Sequence, residues 1–234
     1  MESQDAAATF LLKLWPQIEA NKNRIATGAV IAVAVVAIIS FIVWHRQQNQ
    51  IAAGDALTQN LITLPPNSNP GQIANAYLGI AEDYPGTPAG ARSMLEGAAA
   101  LFTEGKYTDA QAYFQQFLDA HPDDEFSGDA ALGVAKCLEA GGKLNDAQGA
   151  YQRVINDFPD SPAVIPAKFA LAQVNVQARN YADAFRLFQE VAQAAPYSPL
   201  GSEAGQYAYE LRSRIPAPPA TTPGSKLPLT PLSQ

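Results

Sequence analysis

GKYTDAQAYFQQFLDAHP at residues 105–122, GKLNDAQGAYQRVINDFP at 142–159 and RNYADAFRLFQEVAQAAP at 179–196 are three passes over one pattern. Each pass starts 37 residues after the one before. An Asp-Ala pair recurs at Asp109-Ala110, Asp146-Ala147 and Asp183-Ala184. Four residues past each alanine stands an aromatic, Phe114, Tyr151 or Phe188, and a proline closes the pass at Pro122, Pro159 and Pro196. Tyr77 and Pro85 carry the same marks one period earlier. Twelve residues before each repeated alanine lies another, Ala98, Ala135 and Ala172. A fixed period of this size, held by several markers in one register, predicts stacked supersecondary units.

Each marker has a physical task. Small residues on two successive helices let their backbones approach closely and lie antiparallel. The aromatic, one turn further along the second helix, fills the gap to the next unit. Between the helices lie Gly105-Lys106-Tyr107, Gly142-Lys143-Leu144 and Arg179-Asn180-Tyr181. Gly105, Gly142 and Asn180 are the expected left-handed caps, because Gly and Asn accept that conformation best. Thr108 and Asn145 are then expected to cap the following helices. Each repeated proline ends a second helix, having no amide hydrogen and restraining the residue before it.

This pattern resembles the tetratricopeptide repeat, W-x2-L-G-x2-Y, then A-x3-F, then P, with a usual period of about 34 residues. The second half fits Ala110 with Phe114 and Pro122, Ala147 with Tyr151 and Pro159, and Ala184 with Phe188 and Pro196. The first half departs from it. Met94, Ala131 and Lys168 stand for the Trp, and Leu101, Leu138 and Asn175 for the Tyr. Asn175 is a polar residue in a position expected to be core. The period is longer because the loop after each proline is longer, as in PDDEFSGDA and PDSPAVIPA. The resemblance covers residues 71–214. It implies an all-α fold, a right-handed superhelix of helical hairpins with units at 89–121, 126–158 and 162–195. A lone helix at 71–84 would precede them and a capping helix at 200–214 would follow.

Upstream, residues 25–44 (IATGAVIAVAVVAIISFIVW) contain no charge. As a helix they would be about 30 Å long, the thickness of a bilayer's hydrocarbon core. A cleavable signal needs only about 7–15 apolar residues behind a short basic leader. An uncleaved single-pass anchor is therefore the expectation. Thr27 and Ser40 can bond back to their own helix, and Gly28 with Ala32 could seat a neighbouring helix. Lys13, Lys22 and Arg24 precede the span, whereas only Arg46 follows closely and Arg92 is the next basic residue. Positive-inside then places residues 1–24 in the cytoplasm and the repeats outside. Residues 6–20 put Phe10, Leu11, Leu14 and Ile18 on one side of an interfacial helix. Residues 45–70 read as a linker, with a helix at 46–62 and the loop LPPNSNPG. From Ile215 onward six prolines fall in twenty residues, which predicts an extended tail over 215–234 without a core.

The 234 residues hold 15 Lys plus Arg against 22 Asp plus Glu, a net charge of −7, which disfavours nucleic acid as a partner. One cysteine, Cys137, excludes an internal disulfide framework and multi-Cys zinc. It shares its register with Ala100 and Val174 and reads as a small buried hydrophobe. Of the two histidines, His121 sits in a turn and His45 beside Trp44 and Arg46 at the expected bilayer edge. Asp123, Asp124, Glu125 and Asp129 lack the alternating order of a calcium loop and read as a solvated turn. No nucleophile motif, phosphate loop or metal spacing is present. The expectation is a protein that is not an enzyme, with no cofactor, metal or small-molecule substrate.

Surface is what remains. By register, the side of the stack lined by the first helices presents Arg92, Leu95, Phe102, Leu132, Lys136, Phe169, Gln173 and Gln206. Such a groove suits apolar or extended peptide segments. Leu95, Leu132 and Phe169 read equally well as core. The layout of a basic flank at Asn21-Lys22-Asn23-Arg24, one span and then acidic repeats is similar to the ancillary subunits of the SecYEG translocon. Their repeat domain is shared with cell-division coordinators of the bacterial envelope. That resemblance implies an inner-membrane protein presenting repeats in the periplasm, with the translocon, emerging chains or periplasmic chaperones as partners. A self-associating envelope coordinator of cell division is the alternative. The long P-D-S-P loops also resemble the lipoprotein scaffold of outer-membrane barrel assembly, which carries a lipidated cysteine absent here.

Overall fold

The computed structural model describes residues 21–215; the interfacial helix expected at 6–20 and the stretch from 216 onward lie outside them. The described residues form nine α-helices: α1 (Lys22–Thr63), α2 (Pro70–Asp83), α3 (Pro88–Glu104), α4 (Tyr107–Ala120), α5 (Ser127–Ala140), α6 (Leu144–Asp157), α7 (Val164–Gln177), α8 (Tyr181–Ala194) and α9 (Pro199–Leu211). The chain divides into two compact units, one of Met1–Pro66 with Gly79–Ser93, the other of Asn67–Leu78 with Met94–Gln234.

In the first unit, α1 is one helix of 42 residues that takes in both the apolar run and the polar stretch after Trp44. It is long and apolar enough to cross a membrane. Its later half buries Ala53 and Asn60, two turns apart on one face. Thr87 starts α3: its hydroxyl donates to Tyr84 O at 2.8 Å and accepts from Gly90 N at 3.0 Å. Pro88 fills the first helical position, where a missing amide hydrogen matters least.

In the second unit successive helices pack in sequence order, α4 on α5, α5 on α6, α6 on α7, α7 on α8 and α8 on α9, with α7 also touching α9. The repeated alanines sit where the backbones meet: Ala98, Ala110, Ala135, Ala147, Ala172 and Ala184 are all fully buried. Tyr151 and Phe188 are equally inaccessible. This is an all-α solenoid of tetratricopeptide type.

Three turns share one geometry. Lys106 N donates to Leu101 O, Lys143 N to Leu138 O and Asn180 N to Asn175 O, each at 2.8–2.9 Å. The residue before each closes a shorter bond, Gly105 N to Phe102 O, Gly142 N to Glu139 O and Arg179 N to Val176 O. This is the Schellman arrangement, which needs a left-handed residue at the shorter bond. That residue is Gly105 (φ 87°), Gly142 (φ 76°) and Arg179 (φ 61°). The expected cap at Asn180 is therefore displaced by one residue; Asn180 has φ −84° and opens α8. Thr108 and Asn145 do not cap either. The turns are so short that α4 and α6 begin at Tyr107 and Leu144, behind Lys106 and Lys143, with no side-chain cap bond. Asp109, Asp146 and Asp183 in the first helical turns instead place negative charge at the positive end of the helix dipole.

Asn175 also finds its reason. It is buried, its amide donates to Leu171 O at 3.0 Å, and its oxygen lies 3.4 Å from Gln148 Nε2 and 3.5 Å from Asn180 Nδ2. One side chain thus ties α7 to α6 and to the turn that opens α8.

Candidate functional site

Position 37 residues apart is equivalent position, so the register can be followed along the stack. Leu95, Leu132, Phe169 and Gln206 are equivalents on successive first helices, and so are Ala99, Lys136, Gln173 and Glu210. The second unit opens a cleft of about 420 Å³ between α3, α4 and α5. Leu95, Ala99 and Phe102 come from α3, Phe114 from α4, and Leu132, Gly133 and Lys136 from α5. Phe126, in the loop after Pro122, lines it as well. Glu96, Asp129 and Lys136 are exposed lining residues, so an apolar floor carries two carboxylates and one ammonium at its rim.

Gly133 makes the cleft possible. A Cβ there would lie 2.7 Å from ring carbons of Phe114, so only glycine lets that ring rest on the α5 backbone. Its equivalents are Ala170 and Tyr207. At the far end of the stack, Tyr207 stacks on Phe188 with ring centroids 5.0 Å apart. Phe169 meets Phe188 edge-on at 5.3 Å and Tyr207 at 6.0 Å. A second cleft, of about 370 Å³, lies beside this cluster and is lined by Gln173, Val176, Tyr207, Glu210 and Arg214, among others.

The structure thus brings Leu95, Phe102, Leu132 and Lys136 into one cleft. Gln173 lines the other, Phe169 lies almost buried in the ring cluster beside it, and Gln206 is an exposed residue of α9. Arg92 is exposed on α3 and belongs to the first unit. Phe126, Gly133 and Glu96 were not singled out by sequence, and Phe114 and Asp129 stood out there only as a repeat marker and as part of a solvated turn. The signal available was the glycine at 133, where the later units carry progressively larger residues.

Three ionisable groups are shifted by burial or by their partners. Burial, and then the hydrogen bond and charge of Glu139, push the Tyr151 hydroxyl far above its usual range; it donates to Glu139 Oε2 at 2.5 Å. Burial pushes the Cys137 thiol up to about 11. The Lys168 ammonium, 2.8 Å away, holds the Glu190 carboxyl below its usual value, against a smaller opposing effect of burial. Arg186 Nη1 adds a second bond at 2.7 Å. Among the described residues no group of three or more His, Cys, Asp and Glu is placed to hold a metal ion.

Two tetratricopeptide-repeat family models match the chain, over residues 101–168 and 138–199. The region from 101 to 199 therefore carries tetratricopeptide repeats. A tetratricopeptide repeat protein from Parabacteroides merdae superposes with a TM-score of 0.53 at 13% identity, over 71% of this chain and 61% of that one. This chain thus spans less than two thirds of that structure, and the likeness concerns the fold. The tetratricopeptide-like repeats of a putative kinesin light chain from Podosopora anserina give 0.48 at 14% identity, over 72% and 86%. The type III secretion translocator chaperone SycD of Yersinia enterocolitica gives 0.46 at 19%, over 53% and 92%. A comparison with curated proteins finds no match. Tetratricopeptide repeats build scaffolds for protein–protein interaction.

Proposed function

We propose that this chain is a membrane-anchored scaffold that binds an extended apolar segment of another protein in the cleft between α3, α4 and α5. The observation that carries the reading is the meeting of Leu95, Phe102, Leu132 and Lys136 around one opening of about 420 Å³. That volume falls in the range of about 300–1,000 Å³ typical of binding clefts. Phe102 and Leu95 are half-buried, so apolar surface is left to cover, and the charged rim can fix the direction of a bound backbone.

The setting we propose is the inner membrane of a bacterium. Residues 25–44 of α1 form the span, residues before it lie in the cytoplasm and the repeats in the periplasm. The uninterrupted apolar run of α1 and the basic residues ahead of it support this. Emerging chains at the translocon or periplasmic chaperones expose the apolar segments such a cleft would take. Tethering raises the effective concentration of a weak cleft near its target. Nothing in the site calls for catalysis.

Crosslinking in membranes, followed by identification of what is captured, tests the binding. The double variant Leu95→Asp with Phe102→Ala, shown to be folded by its helical circular dichroism, is expected to lose those neighbours. Undiminished capture would refute this cleft. Protease protection in sealed vesicles of known sidedness tests the orientation: the repeats should be cleaved only from the periplasmic face.

A further inference from the structure

The negative charge of this chain is concentrated in one stretch. From Met94 to Ala140, which takes in most of α3 and all of α4 and α5, nine acidic residues stand against Lys106 and Lys136, an excess of seven. Outside it thirteen acidic residues face thirteen basic ones, so this stretch carries the whole formal net charge of −7. It is also the stretch that builds the cleft between α3, α4 and α5. Lys106 is paired with Glu104 at 3.0 Å. Glu96, Asp129 and Lys136, exposed at the rim, have no ion-pair partner among the described residues. Asp123, Asp124 and Glu125 run directly into Phe126, which lines the cleft, and Asp124 Oδ1 accepts a hydrogen bond from Phe126 N at 2.9 Å. The turn that brings this ring to the cleft thus brings three more exposed carboxylates with it.

The cleft at the far end of the stack supplies a comparison within the same molecule. Its Gln173, Val176, Phe188 and Tyr207 stand 74 residues after Ala99, Phe102, Phe114 and Gly133, so it is the same site two units on. Yet from Gly141 to Ile215 seven acidic and seven basic residues balance, and the charged lining residues there are one of each sign, Glu210 and Arg214. Apolar shape is common to both clefts, whereas the negative field belongs to the first. Unbalanced charge along an apolar wall raises the local concentration of opposite charge and repels its own kind. Among the described residues the carboxylates are not gathered into a metal site, so they act on a ligand singly, as exposed charges do.

We propose that the segment taken by the α3–α4–α5 cleft is cationic as well as apolar: apolar side chains lie on the floor of Leu95, Phe102 and Leu132, and a neighbouring Lys or Arg of the ligand faces Glu96 and Asp129. The proposal rests on the reading of this cleft as a peptide site. Lys136 gives the fit a polarity. It follows Asp129 by seven residues of α5, about 10 Å along the axis, so a basic side chain is favoured at one end of the cleft and repelled at the other. About three residues of extended chain cover that distance, which places the basic residue close in sequence to the apolar ones.

The test uses the full chain in nanodiscs of zwitterionic lipid and three fluorescent peptides that share the core Leu-Ala-Phe-Leu, flanked on both sides by Lys-Lys, Gln-Gln or Glu-Glu. Binding is read by anisotropy. The lysine peptide is expected to bind about three- to tenfold more tightly than the glutamine one, since an exposed ion pair is worth up to about fivefold, and the glutamate peptide should bind least. The advantage of lysine should shrink as salt is added. Glu96→Gln with Asp129→Asn, both at exposed positions, is expected to remove most of that advantage and leave the affinity of the glutamine peptide as it was. Equal binding of the lysine and glutamine peptides, or an advantage that survives this double variant, would overturn the proposal while leaving the cleft a peptide site. Leu95→Asn with Phe102→Ala, which alters no charge, should weaken all three peptides. If it weakens none, or if none binds the parent, the reading of the cleft fails and the proposal with it.

Discussion

Arg179 does the work of a glycine. It holds φ 61° in a turn whose two counterparts are Gly105 and Gly142. A residue with a Cβ is strained there by about 1–2 kcal/mol. Arg179→Gly should therefore raise stability by about 0.5–1 kcal/mol, after allowing for glycine's freer unfolded state, as read from a urea transition. Asn175 makes the opposite point. Leu101 and Leu138 hold its place in the earlier units, yet Asn175 bonds Leu171, Gln148 and Asn180. Gln148 and Asn180 both reach solvent and would not be stranded without it. Asn175→Leu is thus expected to shift the urea midpoint by less than the equivalent of about 1 kcal/mol, whereas Asn175→Ala, which also leaves a void, should lose about 1–3 kcal/mol. Neither residue was legible. Composition favours Asn over Arg for a left-handed cap, and only strict register points to 179. A buried Asn looks like an error until its partners on α6 and in the next turn are known.

At the scale of helices, the register was legible and the packing was not. Alanines and aromatics every 37 residues act on the backbone itself, so their spacing reveals which helices must touch. Whether Leu95, Leu132 or Phe169 faces solvent or core depends on what a different helix places opposite, and no local pattern encodes that. Gly133 decides it for the first cleft and Tyr207 for the last. Gly133→Ala is expected to cost about 1–3 kcal/mol through overpacking on Phe114. Gly149→Ala, on α6 with nothing within 4 Å of the added carbon, should instead gain about 0.5–1 kcal/mol. Chemical denaturation of the two variants side by side checks both. The α7–α8 contact through Lys168 and Glu190 gives a pH signature. Because the folded state holds the Glu190 carboxyl below its ordinary value of 4.5, its contribution is complete above that value. It fades as pH falls through the depressed one. Lys168→Met should weaken that acid dependence, seen as a shallower loss of the urea midpoint between about pH 5 and pH 3. The effect will be modest, since both side chains are partly exposed.

For the whole molecule, Cys137 offers a probe of how the stack opens. It is almost completely buried and its thiol is pushed up to about 11, so the native protein presents almost no reactive thiolate. Labelling by a thiol reagent should be slower than in the unfolded chain by about a thousandfold or more, the scale set by folding equilibria. If labelling in low urea tracks the global transition, the α5 region opens only with the whole stack; faster labelling would show that units part from one another first, as one-dimensional arrays can.

Helix α1 continues without interruption from Lys22 to Thr63. Its apolar and polar halves consequently share a single angular phase, like the two ends of a drive shaft. Slipping one residue between them would swing the face bearing Ala53 and Asn60 by about 100° around the axis, and slipping in four would bring it nearly home. Whatever grips the apolar end can in this way dictate which way the other end points, by torsion alone.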